Sequence, residues 1–124
     1  MSQCLNVAKK HVIEYAFSGY FNYGQEQLHN LLDDLDIEYT TVDEYTPEYD
    51  REFSINRRGL KRGITLLKRI DKEDEEACEQ VDVEDLCNHL DDASMTLAEL
   101  IECFEWMLRT AEPNDKEYVH VSFF

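Results

Sequence analysis

At 124 residues with a formal net charge of -16 at pH 7, the chain sets 28 acidic residues against 12 Lys and Arg. An apolar share of 43 % and fourteen aromatic residues exclude a disordered acidic tail. The length suits a single domain over residues 1–124 that can bury its own core.

The charge is segregated along the chain. Residues 25–52 sum to -9, residues 57–72 to +6, and residues 73–106 to -13 with no Lys or Arg among them. Such fields repel nucleic acid and anionic membranes and steer association with basic surfaces. The N-terminal run MSQCLNVAKKHVIEYAF lacks a signal-like apolar stretch, and no window approaches the ~18–20 apolar residues of a membrane span, so a cytoplasmic location is expected. Cys4, Cys78, Cys87 and Cys103 show no C-x-x-C spacing and are expected to be free thiols in a reducing compartment.

Leu5, Ala8, Val12, Tyr15 and Ala16 fit a helix running from near Ser2 to Gly19, whereas Ile13, Tyr15 and Phe17 would line one face of a strand. The helix is the favoured expectation. Leu28, Leu31, Leu32 and Leu35 fall at i, i+3, i+4, i+7, which predicts a helix with Glu26, Asp33 and Asp34 outward. The β-branched and aromatic run 37–42 predicts a strand, Pro47 a loop, Phe53 and Ile55 a second strand, and 118–124 a third with Val119, Val121 and Phe123 on one face.

Asn56 caps a predicted helix over 57–71. On it Arg57, Arg58, Lys61, Arg62, Thr65, Lys68, Arg69 and Lys72 fill an arc of about 140°, with Leu60, Gly63, Ile64, Leu67 and Ile70 on the remainder. A row of Lys and Arg suits phosphate, but the -22 of the two acidic blocks opposes a polyanion, so the arc is expected to be a counter-charge or a dimer face, with no direct nucleic-acid binding. Thr96 with Glu99 forms a predicted capping box, and Met95 with Leu100 a hydrophobic staple, starting the last helix near Leu97. Its stripe is Leu97, Leu100, Ile101, Phe104 and Leu108, ending before Pro113. Trp106 falls nearly opposite that stripe, between Glu99 and Glu102. It is either covered by another element or an exposed anchor ringed by carboxylates. The fold class expected is α+β, helix-rich, with four to five helices and a small sheet of about three strands.

Catalytic and metal patterns are weak. His11, His29, His89 and His120 are scattered, no Ser lies in a nucleophile elbow, and Cys87 and His89 diverge by about 160° on a helix. Asp34, Asp36 and Glu38 start like a calcium loop, but Tyr39 stands where Gly is needed and Tyr45 where Glu is needed. No enzyme activity, cofactor or metal is expected.

In size, acidity, mixed α+β content and missing catalytic groups the chain resembles the small acidic inhibitors of phages and mobile elements, the anti-CRISPR and anti-restriction proteins, some of which mimic DNA. The resemblance is one of overall character and rests on no alignable motif. It implies a non-catalytic protein that occludes a basic, nucleic-acid-handling surface of a partner protein. The thirteen acids of 73–106 are spaced about 4 Å apart in helical rise, near the ~3.4 Å of phosphates along one DNA strand. The partner-facing set is then Asp33, Asp34, Asp36, Glu73, Asp74, Glu75, Glu76, Glu79, Asp82, Glu84, Asp85, Asp91, Asp92, Glu99, Glu102 and Trp106. Arg57, Arg58, Lys61, Arg62, Lys68 and Arg69 form the counter-charge or homodimer face. The alternatives are an immunity protein for a basic nuclease toxin, and an assembly subunit pairing helix 57–72 with acidic faces of its copies.

Overall fold

The computed structural model describes residues 5–10, 14–17, 25–41, 52–111 and 113–123. The Pro47 loop and Cys4 lie outside them. Five strands are described: β1 Leu5–Lys10, β2 Glu14–Phe17, β3 Tyr39–Thr41, β4 Glu52–Asn56 and β5 Tyr118–Phe123. They form one antiparallel sheet in the order β2-β1-β5-β4-β3. The five helices described are α1 Gln25–Asp34, α2 Arg57–Asp71, α3 Glu75–Gln80, α4 Val83–Asp92 and α5 Leu97–Thr110. The domain is α+β, with alternating residues of the sheet and the apolar stripes of the helices sharing one core.

The N-terminal segment corrects the expected helix. Residues 5–10 and 14–17 form β1 and β2, which pair with each other, and β1 pairs on its other side with β5. Val7 is fully buried and opposite Val121. The sequence carries both periodicities, and the pairing with a strand more than a hundred residues away selects the extended one, a tertiary choice that overrides local propensity. Two strands are thereby added to the three expected. Those three appear as β3, β4 and β5, with Ile55, Val119 and Val121 buried.

Four of the described helices, α2 to α5, start on an identifiable cap. Asn56 closes β4 and caps α2, its side chain accepting from the Gly59 amide at 2.7 Å. Leu60, Gly63, Ile64, Leu67 and Ile70 are buried, as the predicted arc requires. Thr96 and Glu99 make both capping-box bonds at 3.1 Å, with Met95 and Leu100 buried beside them. Asp74 and Asp82 cap α3 and α4 by accepting from the amides of Ala77 and Asp85.

Three helix ends share one device. Asp36, Glu73 and Ser94 have φ of 53°, 60° and 55°. The following amides return to carbonyls five residues back: Ile37 to Leu32, Asp74 to Arg69, and Met95 to Leu90, at 2.9 to 3.0 Å. These are Schellman ends built without glycine. In two of them the residue after the left-handed position, Ile37 or Met95, is buried in the core. The turn at Asp36 therefore delivers the chain from α1 into β3 with Ile37 against α2.

The buried face of α5 is rotated from the predicted stripe. Leu100, Ile101, Cys103, Phe104 and Met107 are buried, while Leu97 and Leu108 are only partly so. Including Cys103 and Met107 moves the centre of the face by about 50° at 3.6 residues per turn. Trp106 thus lies on the flank of the core, half-buried and packed against it. It is not opposite the buried face.

Candidate functional site

Carboxylates dominate the described surface. Of the thirteen acids in residues 73–106, eleven are exposed; Asp74 and Glu105 are half-buried. Glu73, Glu75, Glu76, Glu79, Asp82, Glu84, Asp85, Asp91, Asp92, Glu99 and Glu102 all reach solvent across α3, α4, the first part of α5 and the turns between them. Asp33 and Asp36 are exposed at the end of α1.

Several of these acids also hold the fold. Asp74 caps α3 and receives both Nε and a terminal nitrogen of Arg69 at 3.3 Å. The Arg69 contact, with help from the Ala77 amide, holds the Asp74 carboxyl below its usual range. Asp82 is committed to the Asp85 amide. Asp34 departs from the outward position expected: its side chain is 12 % exposed and its Oδ2 meets His89 Nδ1 of α4 at 2.5 Å. The hydrogen bond to Asp34 raises the His89 pKa against the opposing effect of burial, and the charges of Asp34, Asp85 and Asp92 add to it.

The basic arc is partly matched within the chain. Lys68 pairs with Glu105 of α5 at 3.5 Å, and Arg69 with Asp74 and Glu76 of α3 at 3.3 and 3.5 Å. Arg62 donates to the carbonyls of Leu35 and Asp36. The amide of Arg57 joins the carbonyl of Glu117 at 2.8 Å. Arg58 and Lys61 are exposed.

Three cavities meet near the end of α1. One of about 580 Å³ is lined by Asp33, Asp36, Ile37, Glu38, Tyr39, Thr40 and Tyr118. Asp36 and Glu38 separate it from a second of about 320 Å³ that carries Asn56, Arg58, Gly59 and Arg62. A third, about 330 Å³, runs between α1, α2 and Val81. Sequence reasoning selected Asp33 and Asp36 but not Tyr39 or Tyr118, which only the pairing of β3, β4 and β5 brings together.

A hydrogen-bonded chain Ser54–His120–Asp115 was also not legible beforehand. Ser54 Oγ lies 2.9 Å from His120 Nδ1, and His120 Nε2 lies 2.6 Å from Asp115 Oδ2. The residue types are those of a hydrolytic triad, but none of the three lines any of these cavities. Asp115 is occupied by the amides of Glu117 and Tyr118 as well. Burial works against ionisation of Asp115, and the Tyr118 amide and His120 outweigh it, leaving the carboxyl below its ordinary value. The chain ties the loop before β5 to the paired strands β5 and β4.

Cys78, Cys87 and Cys103 are free, and burial pushes the Cys103 thiol strongly upward. Among the described residues no group of three His, Cys, Asp or Glu is arranged to hold a metal, and no helix is long and apolar enough to cross a membrane. Compared with protein-family models, curated proteins and solved structures, the chain matches none.

Proposed function

We propose that this protein is a non-catalytic inhibitor that covers a basic, nucleic-acid-handling surface of a partner protein, in the manner of DNA-mimicking anti-CRISPR or anti-restriction proteins. The observation that carries the reading is the exposure of eleven of the thirteen acids between Glu73 and Trp106 in a segment without Lys or Arg. The basic arc pairs with Asp74, Glu76 and Glu105 of this segment, and with eleven of its thirteen acids exposed most of its charge faces outward. A field of this kind acts on the encounter more than on the bound state. The reading goes with a cytoplasmic location, where thiols such as Cys78 and Cys87 stay reduced.

The test starts with affinity capture and mass spectrometry to find the partner, comparing the natural chain with one in which Glu75, Glu76, Glu79, Glu84 and Asp85 are changed to Gln or Asn. Association kinetics with the captured protein then follow from low to high salt. The on-rate is expected to fall steeply as screening shortens to about 10 Å at 0.1 M, and the neutralised chain to associate more slowly. A flat salt response and an unchanged on-rate in the neutralised chain would overturn the reading.

A further inference from the structure

The cavity of about 580 Å³ beside β3 has a chemical bias that its shape alone does not give. Its lining side chains include three carboxylates, Asp33, Asp36 and Glu38, two phenols, and no Lys, Arg or His. Tyr39 gives its one hydroxyl proton to Asp33 Oδ1 at 3.1 Å, since a carboxylate only accepts. His29 Nδ1, 2.9 Å from the same phenol, is therefore the donor on its other side. The charge of Glu117, with burial and the charges of Glu38 and Asp115, raises the Tyr118 phenol above its ordinary value. With the Tyr39 proton directed to Asp33, the lining holds only the hydroxyls of Thr40 and Tyr118 as further side-chain donors, against three carboxylates.

A pocket rich in acceptors and walled by aromatic rings selects a ligand that is all donor. A guanidinium meets both conditions, because its planar fork of five N–H groups suits carboxylates and its face stacks on aromatic rings. The rim is also held in place. Arg62 grips the carbonyls of Leu35 and Asp36 from the α2 side, and Ile37 is buried beneath, so the turn carrying Asp36 and Glu38 has little freedom to lose on binding.

We propose that this cavity, between the end of α1 and the edge strand β3, receives an arginine side chain of the basic partner, with Asp36 and Glu38 accepting from the guanidinium and Tyr39 and Tyr118 flanking it. The proposal rests on the reading of the protein as a binder of basic surfaces and names one point of recognition within it.

The experiment titrates the full-length 15N-labelled chain with N-acetyl-arginine amide and, as the neutral isostere, N-acetyl-citrulline amide. Saturable shifts are expected for the amides of residues 36–40 and 118 with the arginine probe and none with citrulline. Glu38→Gln, an exposed position whose variant is checked by its melting curve, should weaken the arginine probe at least fivefold, and Tyr118→Leu should do the same. Equal response to citrulline, an unchanged affinity in both variants, or shifts confined to α3 and α4 would overturn the pocket. The captured partner separates this from the wider reading. If it binds Glu38→Gln as tightly as the natural chain but loses the neutralised α3–α4 chain, the pocket falls and the acidic surface stands. If the losses are reversed, the pocket stands and the wider surface falls.

Discussion

His89 Nδ1 lies 2.5 Å from Asp34 Oδ2, and this contact ties the last turn of α4 to the last turn of α1. Two helices that carry like charge on their outer faces are thus joined by a pair of opposite sign. Protonated His89 near the C-terminus of α4 also suits the helix dipole.

The pair makes stability fall as pH rises past the ordinary imidazole value. His89 has a folded pKa raised above its ordinary 6.5, so its stabilisation is complete below about 6.5 and is lost as pH rises through the higher folded value. Asp115 is lowered from 3.8, so its stabilisation is present above that value and is lost as pH falls through the folded one. Urea midpoints should accordingly decline both above pH 6.5 and below about pH 4. His89→Gln should abolish the alkaline part and cost roughly 1.5 kcal/mol at pH 6, the low end for a hydrogen bond to a charged group. An alkaline slope that survives His89→Gln would assign it to another group.

Gly63 is buried in the middle of α2, where a Cβ would stand 2.7 Å from Ile37 Cδ1 and 3.4 Å from its Cγ1. The helix gives up about 1 kcal/mol of propensity relative to Ala so that the chain leaving α1 can pack against it. Gly63→Ala alone should lower stability by about 1 kcal/mol, the crowding of one methyl exceeding the gain in propensity. Ile37→Val removes the obstructing Cδ1 at a cost of about 0.5 to 1.5 kcal/mol. In that background Gly63→Ala should become neutral or stabilising. Additive denaturation energies in the double variant would show that the two sites do not touch.

What the sequence made legible follows from whether its signals were locally unambiguous. Asn56 and the Thr96–Glu99 pair stand out as caps, and α2 and α5 start where they predict. Within 73–95 the caps Asp74 and Asp82 are acids among many acids, and the helix ends at Glu73 and Ser94 take a left-handed φ without the glycine that marks such ends. The division into α3 and α4 was therefore hidden. The strands β1 and β2 were hidden for a different reason, since their form is decided by β5 at the far end of the chain. The same holds for the candidate pocket: Asp33, Asp36 and Glu38 are adjacent in sequence, but Tyr118 reaches them only through sheet register.

Glu73 is the costliest of the three left-handed residues by residue type, because Asp and Ser have short polar side chains and Glu does not. It also places a negative charge at the C-terminal end of α2, where the dipole disfavours it. Glu73→Gly should raise stability by about 0.5 to 1 kcal/mol, read as a higher urea midpoint with an unchanged slope. A loss of stability would mean that the entropy of the new glycine in the unfolded chain outweighs the relief of strain.

Trp106 is half-buried against the core on the flank of α5, next to the face that carries Cys103 and Met107. As the sole tryptophan it can be followed by fluorescence without interference. The free protein should emit between the wavelengths of buried and fully hydrated indole, with partial quenching by acrylamide. Trp106→Ala should cost roughly 2 kcal/mol of stability, below the ~3 to 5 kcal/mol of a fully enclosed Trp, because part of the ring is already in water. Trp106→Phe, which keeps an aromatic ring on the inner side, should recover at least half of that loss. A change of under about 0.5 kcal/mol on Trp106→Ala, the range of surface positions, would show that the ring makes no packing contribution and stands free for a partner. A loss with the Ala variant that the Phe variant rescues would instead assign Trp106 to holding α5 against the core, and would remove it from the proposed partner-facing set.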